Sequence, residues 1–189
     1  MSKIRTFVAI PVVGLTILES WMDELKQMKI PGKIKWNERH LWHLTLKFIG
    51  NIERQEVDIL RQSLKGVFRD VQQGKLVVSG TGVFGTMQKP RVVWAGIDVD
   101  DWLLTLKQKT EQGVSVLDIP GDDRSFSPHL TIGRVKYLKQ PEILKEEVEK
   151  KKNTEWGIIS TTRIVLYESK LTSEGPVYSE IENFNLSKV

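Results

Sequence analysis

The chain has 189 residues, 40% hydrophobic and 28% charged, with a formal net charge of +4 and no cysteine. These proportions allow one full hydrophobic core and exclude a disordered or fibrous chain. The missing cysteines exclude disulfides, thiolate metal sites and a cysteine nucleophile; with no apolar run long enough for a membrane span or a leader segment, a reducing, cytoplasmic setting is expected.

In chain order, Thr6-Phe7-Val8-Ala9-Ile10 reads as a buried strand that Pro11 stops. Leu15, Leu18, Met22, Leu25 and Met28 recur every three or four residues, which predicts an amphipathic helix ended by Pro31-Gly32. Short strands are expected at 33–36 and 41–48, the second closed by Gly50-Asn51. Val57, Leu60, Leu64, Val67, Phe68 and Val71 form a second helical stripe. Strands at 76–78 and 92–94 flank residues 80–85, whose glycines read as a loop. That loop is no P-loop, because no Gly-Lys-Ser/Thr follows it.

Asp100 and Asp101 can cap a helix carrying Leu103, Leu104 and Leu106. A strand at 126–135 follows, then a helix opened by Pro141, then strands at 163–167 and 177–186. No linker or low-complexity segment divides the chain, so it reads as one α+β domain over 1–189, divisible into two similar lobes. The pI of about 9.2 is compatible with a polyanionic partner such as RNA. The charge is mixed along the chain, and residues 145–152 alternate acids and bases as a solvated helix face does.

One internal repeat stands out. His43-Leu44-Thr45-Leu46 and His129-Leu130-Thr131-Ile132 share the order His, apolar, Thr, apolar. With 12 threonines in the chain, two of three histidines meeting one two places on is a rare coincidence. On a strand, residues two apart share a face. His43 and Thr45 therefore project together, as do His129 and Thr131, while the leucines and the isoleucine point the other way. If the two faces meet across a cleft, the site holds two imidazoles and two hydroxyls.

That set suits phosphoryl chemistry. A neutral imidazole can take a proton from water while an imidazolium protonates the leaving oxygen, and hydroxyls can donate to phosphate oxygens. The motifs bring no carboxylate or cysteine to complete a metal site, so neither a metal nor another cofactor is expected. The competing reading is two strand histidines satisfied by local hydrogen bonds.

These motifs and their flanks resemble the two-histidine (2H) phosphoesterase superfamily, and within it the LigT-like RNA 2′,3′-cyclic phosphodiesterases, also called 2′-5′ RNA ligases. The resemblance runs through Arg5-Thr6-Phe7-Val8-Ala9-Ile10, Lys35-Trp36, the stretch from His43 to Phe48-Ile-Gly50, Pro90-Arg91-Val-Val-Trp94, Phe126-Ser-Pro128-His129 to Arg134, Leu166-Tyr167-Glu-Ser169 and Gly175-Pro176-Val-Tyr178. It implies two pseudo-symmetric lobes of antiparallel sheet with outer helices and a central cleft. It implies hydrolysis of an RNA 2′,3′-cyclic phosphate end to a 2′-phosphate. In that pattern His43 is the general acid on the departing 3′ oxygen, His129 the general base on water, and Thr45 and Thr131 hold the phosphate. The expected partner is RNA with such an end, or a small cyclic-phosphate nucleotide, bound by a monomer. The alternatives are reversible 2′-5′ ligation, a small cyclic-phosphate phosphodiesterase and a non-catalytic RNA-end binder. Three positions depart from the family pattern: His40 and Trp42 before the first motif, and Ser127, where relatives commonly carry histidine.

Arg134 suits a phosphate, with a structural ion pair as the plainer reading. Strand parity sets it opposite to His129, and sets Phe48 opposite to His43, so Phe48 reads as core, with a stacking platform as its alternative. Lys47 shares parity with His43 and, with Arg91, could add positive potential for an RNA tail. Trp36, Trp42 and Trp94 could stack on bases, but at least two should be buried. His40 reads as a surface or strand-edge residue.

Overall fold

The computed structural model describes residues 3–119, 125–173 and 175–188. Its elements are β1 (Lys3–Pro11), α1 (Thr16–Gln27), β2 (Gly32–Trp36), a 3-10 turn (Arg39–Leu41), β3 (His43–Glu53), α2 (Glu56–Phe68), β4 (Gly74–Thr86), β5 (Lys89–Ile97), α3 (Asp101–Val114), a second 3-10 turn (Ser115–Leu117), β6 (His129–Leu138), α4 (Pro141–Lys150), β7 (Glu155–Thr161), β8 (Arg163–Thr172) and β9 (Gly175–Asn185).

The helices form where the apolar period predicts them. Leu18, Trp21, Met22 and Leu25 are the buried stripe of α1, and Leu60, Leu64 and Phe68 that of α2. Asp100 caps α3, its carboxylate accepting from the Leu103 N–H at 2.7 Å. Pro141 opens α4, where its missing N–H costs nothing.

Among the described residues, all nine strands belong to one curled antiparallel sheet in the order β7-β4-β5-β6-β3-β1-β8-β9, with β2 also pairing β6. The sheet has a seam. The two motif strands meet at a single bridging pair, Leu44 with Leu130. Beyond it β3 and β6 part, and β2 takes over that edge of β6, from Gly133 to Leu138. On one side of the seam lie β3-β1-β8-β9, packed on α2 and α3; on the other lie β6-β5-β4-β7 with β2, packed on α1 and α4. The halves of the sheet are therefore not the halves of the sequence. β4 and β5 leave the first motif's side, and β8 and β9 return to it.

Three expectations change. Residues 80–85 are not a loop but the middle of the 13-residue strand β4. Gly80, at φ +63, serves a bulge rather than a turn: it sits in the register shift between Ser79 and Thr81. Gly50-Asn51 does not close β3, which pairs with β1 as far as Glu53. Strand β7 was not expected at all; it buries Trp156 and Thr161 and exposes Ile158, a pattern too short and mixed to read. Among the described residues no helix is long and apolar enough to cross a membrane.

Candidate active site

The bridging pair fixes the motifs relative to each other. Leu44 and Leu130 are both fully buried, which turns His43, Thr45, His129 and Thr131 to the opposite, half-buried face. An antiparallel register centred on Leu44 and Leu130, continued one residue each way, sets position 43 opposite 131 and position 45 opposite 129. Each histidine thus stands across from the other motif's threonine. Neither threonine hydroxyl has a hydrogen-bond partner among the described residues.

Both rings are held alike. His43 Nδ1 lies 2.7 Å from the Leu41 carbonyl, and His129 Nδ1 lies 2.8 Å from the Ser127 carbonyl. A carbonyl only accepts, so Nδ1 carries the hydrogen and Nε2 of the neutral ring keeps its lone pair. The backbone makes this bond, so serine at position 127 leaves it intact. An aromatic edge braces each ring: Tyr178 stands at 90° to His43 with centroids 5.2 Å apart, and Phe84 at 87° to His129 at 4.7 Å.

Burial depresses the proton affinity of both histidines, against the opposing pull of their carbonyl bonds. The Arg134 charge lowers both further, and the His129 charge lowers His43 as well. Burial raises the Tyr178 phenol, against Arg134 and Arg5, so it remains a hydroxyl donor at neutral pH.

A cavity of about 810 Å³ opens beside the seam, lined from β1, β2, β3, β6, β8 and β9. Its walls include His43, Thr45, Phe48, Arg134, Arg5 and Tyr178. His129 and Thr131 do not line it; their tie to it is the cross-strand register and the charge that His129 exerts on His43.

Phe48 and Arg134 line this cavity against the parity rule, and the cause is duplicated. Opposite β3, Val8 pairs Lys47 and Ala9 pairs Thr45, leaving Leu46 as a bulge. Opposite β6, Val93 pairs Gly133 and Trp94 pairs Thr131, leaving Ile132 as a bulge. Each bulge falls three residues after its histidine and reverses the alternation beyond it. Phe48 is therefore exposed rather than core, with the Arg5 guanidinium 4.7 Å above its ring. Arg134 is exposed and makes no ion pair among the described residues. The same bulge turns Lys47 away from the cleft. It is 3% exposed and paired with Glu111 of α3 at 3.0 Å, so it adds no potential there.

The remaining candidates separate. His40 is exposed in the turn before β3 and outside the cavity. Arg91 lines a neighbouring groove. Of the three tryptophans only Trp42 is fully buried; Trp36 and Trp94 are half-buried. Among the described residues no group of three or more His, Asp or Glu is placed to hold a metal ion.

The profile of the family described as LigT like Phosphoesterase matches residues 13–94 and again 97–178, one histidine motif in each match. The chain belongs to the LigT-like phosphoesterase family. It is 32% identical over 95% of its length to a Methanocaldococcus jannaschii protein named RNA 2′,3′-cyclic phosphodiesterase, covering 99% of that protein. An Aquifex aeolicus protein of the same name is 33% identical over 84% of both chains. Among solved structures, TT0787 of Thermus thermophilus superposes with TM-score 0.77 at 26% identity, covering 96% of this chain and 97% of that one. Escherichia coli LigT complexed with 3′-AMP shares the fold at TM-score 0.74 and 20% identity, covering 98% and 99%.

Residue-level reading of the LigT-like frame missed several of its cavity residues. Arg5 and Tyr178 lie far from either motif in sequence, and only β1 and β9 bring them in. Lys33, Lys35 and Lys136 also line the cavity. For the first two, the alternation Lys33-Ile34-Lys35-Trp36 was the available signal, since it marks one basic face on a short strand.

Proposed function

We propose that this LigT-like phosphoesterase hydrolyses RNA 2′,3′-cyclic phosphate ends to 2′-phosphates by metal-independent acid–base catalysis, with His43 and His129 as its catalytic residues and the whole chain acting as one domain. The observation that carries this reading is the matched pair of imidazoles, each held through Nδ1 by a backbone carbonyl, beside a cavity whose charged walls, among the described residues, are all cationic. Each ring then offers Nε2 to the reaction.

Following the family pattern, His129 Nε2 takes a proton from water as the water oxygen bonds to phosphorus. The bond from phosphorus to the 3′ oxygen breaks, and that oxygen takes the proton from His43 Nε2. The products are a 3′ hydroxyl and a 2′-phosphomonoester. Thr45, Thr131 and Arg134 stabilise the charge on the non-bridging oxygens. Phe48, under Arg5, supplies a surface for the terminal base. His43 must enter protonated although burial opposes this, and the bound anionic phosphate supplies the compensating charge.

The test is an oligonucleotide with a 2′,3′-cyclic phosphate, incubated in EDTA and resolved against 2′- and 3′-phosphate standards. A 2′-phosphate product is expected, and its absence refutes the reading. His43→Ala or His129→Ala should each lower kcat by about 10² to 10⁴. A fully active single variant contradicts the paired roles.

A further inference from the structure

A second groove, about 600 Å³, adjoins the cavity. It lies between the β4–β5 hairpin and the end of β6, and Lys136 lines both. Lys89, Arg91 and Tyr137 also form its walls, and no acidic side chain does among the described residues. None of its three cations makes an ion pair among the described residues, whereas Lys47, Arg61, Lys107 and Arg163 all do. Two large aromatic rings stand clear in solvent among the described residues, Phe48 at 45% and Tyr137 at 55%. One lies on each motif strand, and each lines its own cavity.

The hairpin is shaped to hold this groove open. Gly85, at φ +97, sits at a register shift in β4, where a Cβ would lie 2.6 Å from the Lys89 carbonyl. Only glycine lets the hairpin fold back so closely. The Lys89 N–H closes the turn on the Thr86 hydroxyl at 3.0 Å. Lys89 and Arg91 are thereby fixed beside the outer end of β6.

A cationic groove with an exposed ring has the chemistry of a single-stranded nucleic-acid subsite: charges track phosphates and the ring stacks a base. We propose that the groove binds the RNA residues immediately 5′ of the reacting end, with Tyr137 stacking a base, Lys89 and Arg91 contacting phosphates, and Lys136 bridging to the catalytic cavity. This rests on the hydrolytic reading above and adds to it a direction: the RNA body leaves over β6 toward the β4–β5 hairpin.

The test compares wild type, Tyr137→Ala and the double variant Lys89→Ala/Arg91→Ala. The substrates are a nucleoside 2′,3′-cyclic phosphate and an octanucleotide with the same cyclic end. Binding of an octanucleotide bearing a 2′-phosphate is read separately by fluorescence anisotropy. Tyr137→Ala should weaken octanucleotide binding about tenfold, within the range for removing one stacking ring. The double variant should flatten the slope of log affinity against log salt by about 1.4, at about 0.7 for each single-strand phosphate contact. Turnover of the mononucleotide should not change. Wild-type octanucleotide affinity in both variants overturns the subsite, and so does an equal fall on both substrates, which would mark a merely structural effect. If wild type turns over neither substrate, the hydrolytic reading fails, while the anisotropy still decides whether the groove binds RNA.

Discussion

His43 and His129 reach the same state by the same means: a carbonyl two residues back holds Nδ1, an aromatic edge braces the ring, and burial with Arg134 disfavours the charged form. In the free protein both rings therefore lose their protons below the ordinary histidine value of about 6.5. Acid–base catalysis needs one ring charged and one neutral, so the bell-shaped profile of kcat/KM should peak on the acid side of 6.5. Arg134→Met removes a positive charge that lowers both rings, and both limbs of the bell should then move to higher pH. The KM should rise as well, since the substitution removes the proposed phosphate contact. A profile unmoved by this substitution would show that Arg134 does not act on the pair. The histidines and threonines were legible from two-residue spacing alone. Arg5 and Tyr178 were not, because nothing in their local sequence separates a cavity residue from any other strand residue.

At the scale of elements, the bulges decide what the motif strands present. Residue alternation placed Lys47 in the cleft and Phe48 and Arg134 behind it. Leu46 and Ile132 reverse all three assignments by dropping out of the pairing. Helix α3 braces the first bulge. The Lys107 ammonium donates to the Leu46 carbonyl at 2.9 Å, and Glu111 accepts from Lys107 and pairs with Lys47. Glu111→Gln weakens the neutralisation of a lysine buried behind the first motif strand. The expected destabilisation is about 1–3 kcal/mol, between an exposed and a fully buried pair because Glu111 is itself about a third exposed. Urea unfolding monitored by tryptophan fluorescence measures it, and a change below about 0.5 kcal/mol would show that the cluster does not brace the strand. Bulges escape a reading of sequence because pairing with the neighbouring strand creates them; Leu46 and Ile132 look like ordinary strand residues.

At the scale of the whole molecule, the chain is interleaved across its seam. Each half of the sheet takes strands from both ends or both sides of the sequence, so neither half is a contiguous segment able to fold or melt alone. Far-ultraviolet circular dichroism and tryptophan fluorescence should therefore report one coincident thermal transition. Leu130→Ala empties a fully buried position at the seam and should cost roughly 2–5 kcal/mol. That lowers Tm by roughly 2–4 °C for each kcal/mol in a chain of this size. Two separated transitions in either protein would mean that the halves behave as independent units.

By itself the sequence determined the four helices, the α+β class, the two motif histidines and the threonine that shares each one's face. All of these follow from short-range periodicities that a single strand or helix imposes on its own side chains. The tertiary structure decided the rest: the one-residue seam between the motif strands, the cavity beside it, the bulges that bring Phe48 and Arg134 into it and turn Lys47 out, and the arrival of Arg5 and Tyr178. Each of these depends on which strand lies beside which and in what register. Only the packed sheet fixes that, because register is set by long-range pairing and burial rather than by any local run of residues.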